Sequence, residues 1–201
     1  MLKAHLSSEQ TDGLVRGLAR LGLSPNAWTL LSLLPAAAGL AALAAAQSLL
    51  AGLVLFVLSG FIDMVDGAVA RATGQVSARG AFIDGVVDRY VELLLYLGLL
   101  CYLGDGDFLG IQRVVWFMLL LFGALMTSFV RAYADHRGVV KDERELKRMG
   151  GLLERGERLM LIYAGMAAGV FNSEWLMAVV ALTAALANAT ALQRIWFAVG
   201  K

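Results

Sequence analysis

The sequence predicts an all-α integral membrane protein: six transmembrane helices preceded by a short amphipathic interfacial helix, with the N- and C-termini cytoplasmic. Three observations carry that prediction. Of 201 residues, 59% are hydrophobic, and the mean hydropathy of +0.71 leaves no room for a large soluble domain. Apolar stretches recur at about 27–46, 49–62, 91–103, 114–130, 159–171 and 175–199, and a spanning helix needs roughly 20 residues. The net charge of +1 hides a one-sided distribution. With the N-terminus inside and six crossings, only Arg113 of the 17 Lys and Arg residues falls outside, which is the asymmetry of a positive-inside topology. The chain is therefore read as one membrane domain, 1–201, at the cell membrane.

Residues 7–21 place Leu14, Leu18 and Leu21 on one side and Arg16 and Arg20 away from it. That pattern suits a helix lying in the cytoplasmic interface; Gly13 and Gly17 leave a frayed tail as the other reading. The bundle follows over about 25–199. Ser24-Pro25 is a helix start, with Ser24 as N-cap and Pro25 at the first position. The first span is rich in alanine, with Gly39 for close packing, and the short link at Gln47-Ser48 makes an antiparallel hairpin with the second span. The second and third spans extend through charged sequence to about 49–72 and 80–103, joined by Thr73-Gly74-Gln75-Val76-Ser77. Asp105-Gly106-Asp107 opens an external loop. The longest polar segment, 135–158, is cytoplasmic. The stretch at 159–171 reaches spanning length if its helix begins near Gly151, and Asn172-Ser173-Glu174 makes the last external turn. The single Cys101 excludes an internal disulfide. Charges throughout the first twenty residues exclude a secretory signal reading.

Four aspartates interrupt this pattern at the cytoplasmic ends of spans two and three. Helical spacing sets Asp63 and Asp66 (i, i+3) on one face, and Gly80, Asp84 and Asp88 (i, i+4, i+8) on one face of the next helix. Ionisable groups at membrane depth are costly and mark function. Crowded carboxylates resist ionisation unless cations neutralise them, and Mg²⁺ or Mn²⁺ prefers such oxygens while keeping positions for substrate phosphates. Two ions between the two aspartate pairs would suit a bound diphosphate. Gly67 and Gly80 allow close approach of a ligand to the backbone, Ala70 keeps the next turn narrow, and Arg71 offers a planar fork to a phosphate. The alternative, Asp–Arg pairs that merely join helix ends, accounts poorly for four aspartates at this spacing.

Asp-x2-Asp-Gly-x2-Ala-Arg-x8-Gly-x3-Asp-x3-Asp, running from Asp63 to Asp88, resembles the signature of the CDP-alcohol phosphotransferases at every fixed position. The resemblance implies a six-helix membrane enzyme that binds a CDP-lipid (CDP-diacylglycerol or CDP-archaeol), lets a second alcohol attack the lipid-side phosphorus, and releases CMP. It implies Asp63, Asp66, Asp84 and Asp88 as ligands of two Mg²⁺ or Mn²⁺ ions, with Asp88 also the general base. Asp66, Gly67, Ala70, Arg71 and Gly80 would border the CDP-lipid. Asn26 and Thr29 resemble a family element near the nucleotide, and also fit a plain polar helix end. A homodimer in the bilayer is implied, and no nucleic-acid partner.

The acceptor is read from two cytoplasmic elements. Ser128-Phe129-Val130-Arg131-Ala132-Tyr133-Ala134-Asp135 and Glu154-Arg155-Gly156-Glu157-Arg158 are similar to elements of family members that accept inositol 1-phosphate. Arg131, Arg155 and Arg158 would then bind an acceptor phosphate. Tyr133 departs from the pattern where a second Arg is usual, so the phosphate contact of that position is either lost or moved to Lys147 or Arg148. The resemblance points first to inositol 1-phosphate, with glycerol 3-phosphate second. A membrane prenyltransferase is disfavoured by the short chain and adjacent aspartate clusters. A cation transporter is disfavoured because transport sites lie near the midplane between repeats, and no repeat is visible.

Overall fold

A computed structural model describes residues 21–140 and 142–201, without the side chains of Glu143 and Lys147. The interfacial helix expected over 7–21 lies outside the described residues, apart from Leu21. The elements are α1 (Pro25–Leu31), α2 (Leu33–Ala44), α3 (Leu49–Ala72), α4 (Ala78–Leu103), β1 (Asp107–Phe108), β2 (Ile111–Gln112), α5 (Arg113–His136), α6 (Glu143–Arg148), α7 (Arg155–Gly169) and α8 (Ser173–Val199).

The helix starts follow local chemistry. Ser24, Ser48 and Ser77 each accept a backbone N–H from three residues on, and Asn172 caps α8 by accepting from Glu174 N–H. These side chains satisfy donors that a helix start leaves without a partner. The expected first span is divided at Ser32. Pro35 has no N–H for the carbonyl of Leu31, and its ring crowds that turn. The neighbouring Ser32 carbonyl, which accepts from Ala36 N–H, also takes a hydrogen bond from the Ser59 hydroxyl at 2.8 Å, tying the kink to α3.

A contiguous apolar core runs through α2, α3, α4, α5, α7 and α8, including Leu43, Phe56, Leu95, Leu99, Leu120, Ile162, Met166 and Val180. α2 lies against both α3 and α4, α5 runs along α8, and α7 packs on α8 and α3. Many large apolar side chains also face outward, among them Leu34, Val54, Phe61, Met118, Phe122 and Leu192. Water would penalise such a surface; acyl chains do not. Among the described residues, four segments are long and apolar enough to cross a membrane: Pro25–Ala44, α3, α5 and α8. α4 carries Arg79, Asp84, Asp88 and Arg89 in its first half and Glu92 just beyond its middle. α7, with 15 residues, is only about 22 Å long.

Three details differ from expectation. α7 begins at Arg155 rather than near Gly151, because Glu154 and Glu157 form a reciprocal capping box. The preceding backbone binds α8 instead: Leu152 N–H donates to Gln193 and Leu153 N–H to Thr190. The loop between α4 and α5 contains a β-hairpin, with Phe108 opposite Ile111 and positive φ at both Leu109 and Gly110, as a tight two-residue turn requires. The polar segment 135–158 hides Val140, Met149 and Leu153, the first two packed near Phe197 and Ala198.

Arg113, the sole basic residue assigned outside, donates to the Leu103 carbonyl and pairs with Glu174 at 3.0 Å. Gly98 and Gly123 serve contacts within the protomer: a Cβ at Gly98 would stand 2.8 Å from Leu43 Cδ1, and one at Gly123 would stand 2.8 Å from Asn188 Nδ2. Leu43 is also pressed against Gly52, so it cannot yield. Gly98→Val is therefore expected to destabilise the fold by about 1–3 kcal/mol through overpacking, read as a lower unfolding temperature in detergent. An unchanged transition would mean that the α2–α4 contact is looser than these distances allow.

Candidate active site

The site forms where α1, the end of α3 and the start of α4 meet, and α7 brings a guanidinium to it. On α3 the buried face descends through Gly52, Phe56 and Ser59 to Val65 and Asp66, so one helical stripe carries both packing and carboxylates. Asp66 is 6% exposed and accepts a short hydrogen bond from the Thr29 hydroxyl of α1. One carboxylate oxygen from each of Asp63, Asp66 and Asp84 lies within 4.8 Å of the others. Asp88, one turn further along α4, is within electrostatic reach of Asp63 and Asp84. Its Oδ1 lies 2.5 Å from Arg155 Nη2, and Arg155 Nη1 lies 3.8 Å from Asp63.

Beside the carboxylates is a cleft of about 280 Å³, lined by Pro25, Asn26, Thr29, Asp66, Gly67, Ala70, Arg71, Gln75, Val76, Ser77, Gly80, Ala81 and Asp84. All seven residues expected to border the CDP-lipid are in that wall. Gly80 is needed for clearance, since a Cβ there would stand 3.3 Å from Asn26 Oδ1 and 3.2 Å from Ser77 Oγ. Arg71 sits near Asp66 and over Gly67. Asn26 and Thr29 thus belong to the cleft; the helix cap is Ser24.

Three convergent oxygen donors, one of them buried, fit a hard divalent cation such as Mg²⁺ or Mn²⁺. No softer ligand stands among them. A cation there would offset the mutual repulsion of Asp66 and Asp84, which face each other as like charges.

The expected acceptor residues separate into different environments. Arg155 is partly exposed and bridges the aspartate cluster. Arg131 is exposed on α5. Arg158 is 1% exposed, and its Nε and Nη2 donate to Glu92 Oε1 at 3.0 and 2.6 Å. One edge of its guanidinium is thus held inside the bundle, about one helical turn from Arg155, while Nη1 is buried without a hydrogen-bond partner among the described residues. The side chain of Lys147 is outside the described residues, and Arg148 is exposed. Tyr133 is exposed, stacks on Phe129 with ring centroids 5.2 Å apart, and lies 5.9 Å beneath the Arg137 guanidinium.

Two charged residues matter more than their sequence setting indicated. Arg194 on α8 is 6% exposed. It donates to the carbonyls of Thr127 and Gly150, lies 3.8 Å from Glu154, and is within electrostatic reach of Arg131 and Arg158. Glu92 is 2% exposed between Arg158 and Arg89. A signal existed for both: Arg194 is the sole basic residue in a mostly apolar 27-residue helix, and Glu92 continues the Asp84, Asp88 spacing by one turn.

A family model described as CDP-alcohol phosphatidyltransferase matches residues 22–192. An archaetidylinositol phosphate synthase of Methanothermobacter thermautotrophicus is 36% identical over 177 residues, 88% of this chain and 83% of that protein. The crystal structure of Mycobacterium tuberculosis phosphatidylinositol phosphate synthase with CDP-DAG bound superposes with a TM-score of 0.79 at 27% identity, covering 95% of this chain and 94% of that one. The same enzyme in complex with manganese and citrate gives a TM-score of 0.79 at 28% identity, covering 94% and 88%.

Proposed function

Since this chain belongs to the CDP-alcohol phosphatidyltransferase family, we propose that it transfers a phosphatidyl-type group, carrying diacylglycerol or archaeol, from a CDP-lipid to a hydroxyl of inositol 1-phosphate. CMP is released. The observation that carries this reading is the cleft wall, in which Asn26, Thr29, Asp66, Gly67, Ala70, Arg71 and Gly80 meet beside three convergent carboxylates. The names of the similar synthases support an inositol phosphate acceptor.

In this mechanism Asp63, Asp66 and Asp84 hold the divalent cations, with Asp88 completing the set. The cations supply Lewis-acid stabilisation of the charge that develops on the diphosphate. Arg71 contacts phosphate oxygens as a fork, and Gly67 and Gly80 let the nucleotide lie close to the backbone. The acceptor oxygen forms the new bond to the lipid-side phosphorus as the bond to the CMP oxygen breaks. Asp88 takes the hydroxyl proton and passes it to water. Arg155, already against Asp88, directs the acceptor phosphate, with Arg131 and Lys147 as further donors. Arg158 is left out of direct binding. Six crossings with both termini and the site at the cytoplasmic face complete the reading, because water-soluble nucleotide and acceptor must reach the aspartates. The homodimer belongs to the same proposal, although Gly98 and Gly123 are used within one protomer.

The test is CMP release by purified protein with CDP-lipid and Mg²⁺ across inositol 1-phosphate, free inositol and glycerol 3-phosphate. Release with inositol 1-phosphate alone is expected; release only with glycerol 3-phosphate would replace the acceptor. Arg155→Ala is expected to raise the acceptor KM about 10- to 100-fold, the worth of one charge-assisted contact. An unchanged acceptor KM would remove Arg155 from the pocket.

A further inference from the structure

We propose that Glu92 is a positioning residue that fixes both walls of the acceptor pocket to the helix carrying Asp84 and Asp88. The proposal rests on the transferase reading above and extends it to a residue outside the family-like motif.

Glu92 stands one turn beyond Asp88 on α4 and is 2% exposed. Its two carboxylate oxygens serve different partners. Oε1 accepts from Arg158 Nε and Nη2 of α7 at 3.0 and 2.6 Å, and from the Tyr96 hydroxyl at 3.3 Å. Oε2 pairs with Arg89 Nη1 at 2.9 Å. The same Arg89 nitrogen donates to Ser128 Oγ of α5 at 3.0 Å, and Arg89 Nη2 lies 3.8 Å from Asp88. One carboxylate thereby joins three helices. Ser128 opens the α5 element that carries Arg131, three residues later. Arg158 closes the α7 element that carries Arg155, three residues earlier, and Arg155 touches Asp88. Holding Arg158 thus sets the height and rotation at which Arg155 meets the base.

Stability alone does not call for this arrangement. A buried ion pair can be replaced by apolar residues of similar volume at little cost, although loss of one partner costs several kcal/mol. The core around it is already apolar, with Leu95, Leu99, Ile162 and Met166 buried in one cluster. What an apolar replacement would not supply is orientation, because two guanidinium N–H groups converging on Oε1 restrict rotation as well as distance.

The experiment is CMP release by the full chain, with inositol 1-phosphate and CDP-lipid varied in turn, for Glu92→Gln, Glu92→Asp and the double variant Glu92→Met with Arg158→Met. Glu92→Gln should raise the acceptor KM about tenfold, the scale of coupling within one buried network, and leave the CDP-lipid KM unchanged. Glu92→Asp should recover most of the loss. The double variant should unfold at the same temperature as the unmodified chain yet keep the raised acceptor KM. An unchanged acceptor KM in Glu92→Gln overturns the proposal, as does an equal rise in both KM values. If Glu92→Gln does not fold, a folded double variant with normal acceptor KM overturns it equally. Absence of CMP release by the unmodified chain sinks the transferase reading itself, which separates the two failures.

Discussion

Asp88→Asn is expected to slow CMP release by about 10²- to 10⁴-fold, the usual contribution of a general base, while CDP-lipid binding is largely retained. The substitution keeps the shape of the side chain and removes its capacity to take a proton. Asp88 is separate from the cleft wall that would hold the nucleotide, so the lipid substrate should still dock. Asp88 is also the carboxylate that Arg155 engages at 2.5 Å, and the variant should weaken the acceptor as a secondary effect. Single-turnover release of CMP, together with a direct CDP-lipid binding titration, separates these effects. Turnover surviving at more than a tenth of the original rate would mean that another group takes the proton.

Asp66→Asn should have a comparable effect for a different reason. Asp66 is the most buried of the three convergent carboxylates, is held by Thr29, and also forms part of the cleft wall. In the proposed function, removing its charge takes away a cation ligand and part of the nucleotide-site wall at once. The rate should fall by at least about 10²-fold, the scale on which positioned electrostatic groups act. A second readout is independent of turnover. A cation present at 100 times its dissociation constant stabilises the folded state by about 2.7 kcal/mol. Mn²⁺ should therefore raise the unfolding temperature of the unmodified chain, a chelator should reverse the rise, and Asp66→Asn should abolish it. An equal Mn²⁺-induced rise in the variant would place the cation elsewhere.

Much of the fold was legible because it depends on short-range chemistry. Apolar runs of spanning length, Ser24-Pro25 at a helix start and Asn172 at a turn each act within a few residues. The limits of α3 and α4 and the loop between them followed from that. α7 was misjudged at its start because the capping box at Glu154 and Glu157 competes with docking of the preceding backbone on α8, and only the folded chain brings Thr190 there. The Leu109-Gly110 hairpin was missed because neither residue announces a two-residue turn as an Asn-Gly pair would.

The candidate site divides in the same way. Helical spacing alone set Asp63 with Asp66 and Asp84 with Asp88, because a period of 3.6 residues places i, i+3 and i, i+4 side chains together. It also singled out Gly67, Arg71 and Gly80, all of which line the cleft with Asp66 and Asp84. Spacing could not distinguish Arg155 from Arg158. The two lie on nearly the same face of α7, roughly 4.5 Å apart along its axis. The upper one meets Asp88 and the lower one meets Glu92, 66 positions away in the chain. Periodicity is a local property and fixes which groups share a face. Which guanidinium meets Asp88 and which meets Glu92 is decided by distant charges that packing brings together, and that required the tertiary structure.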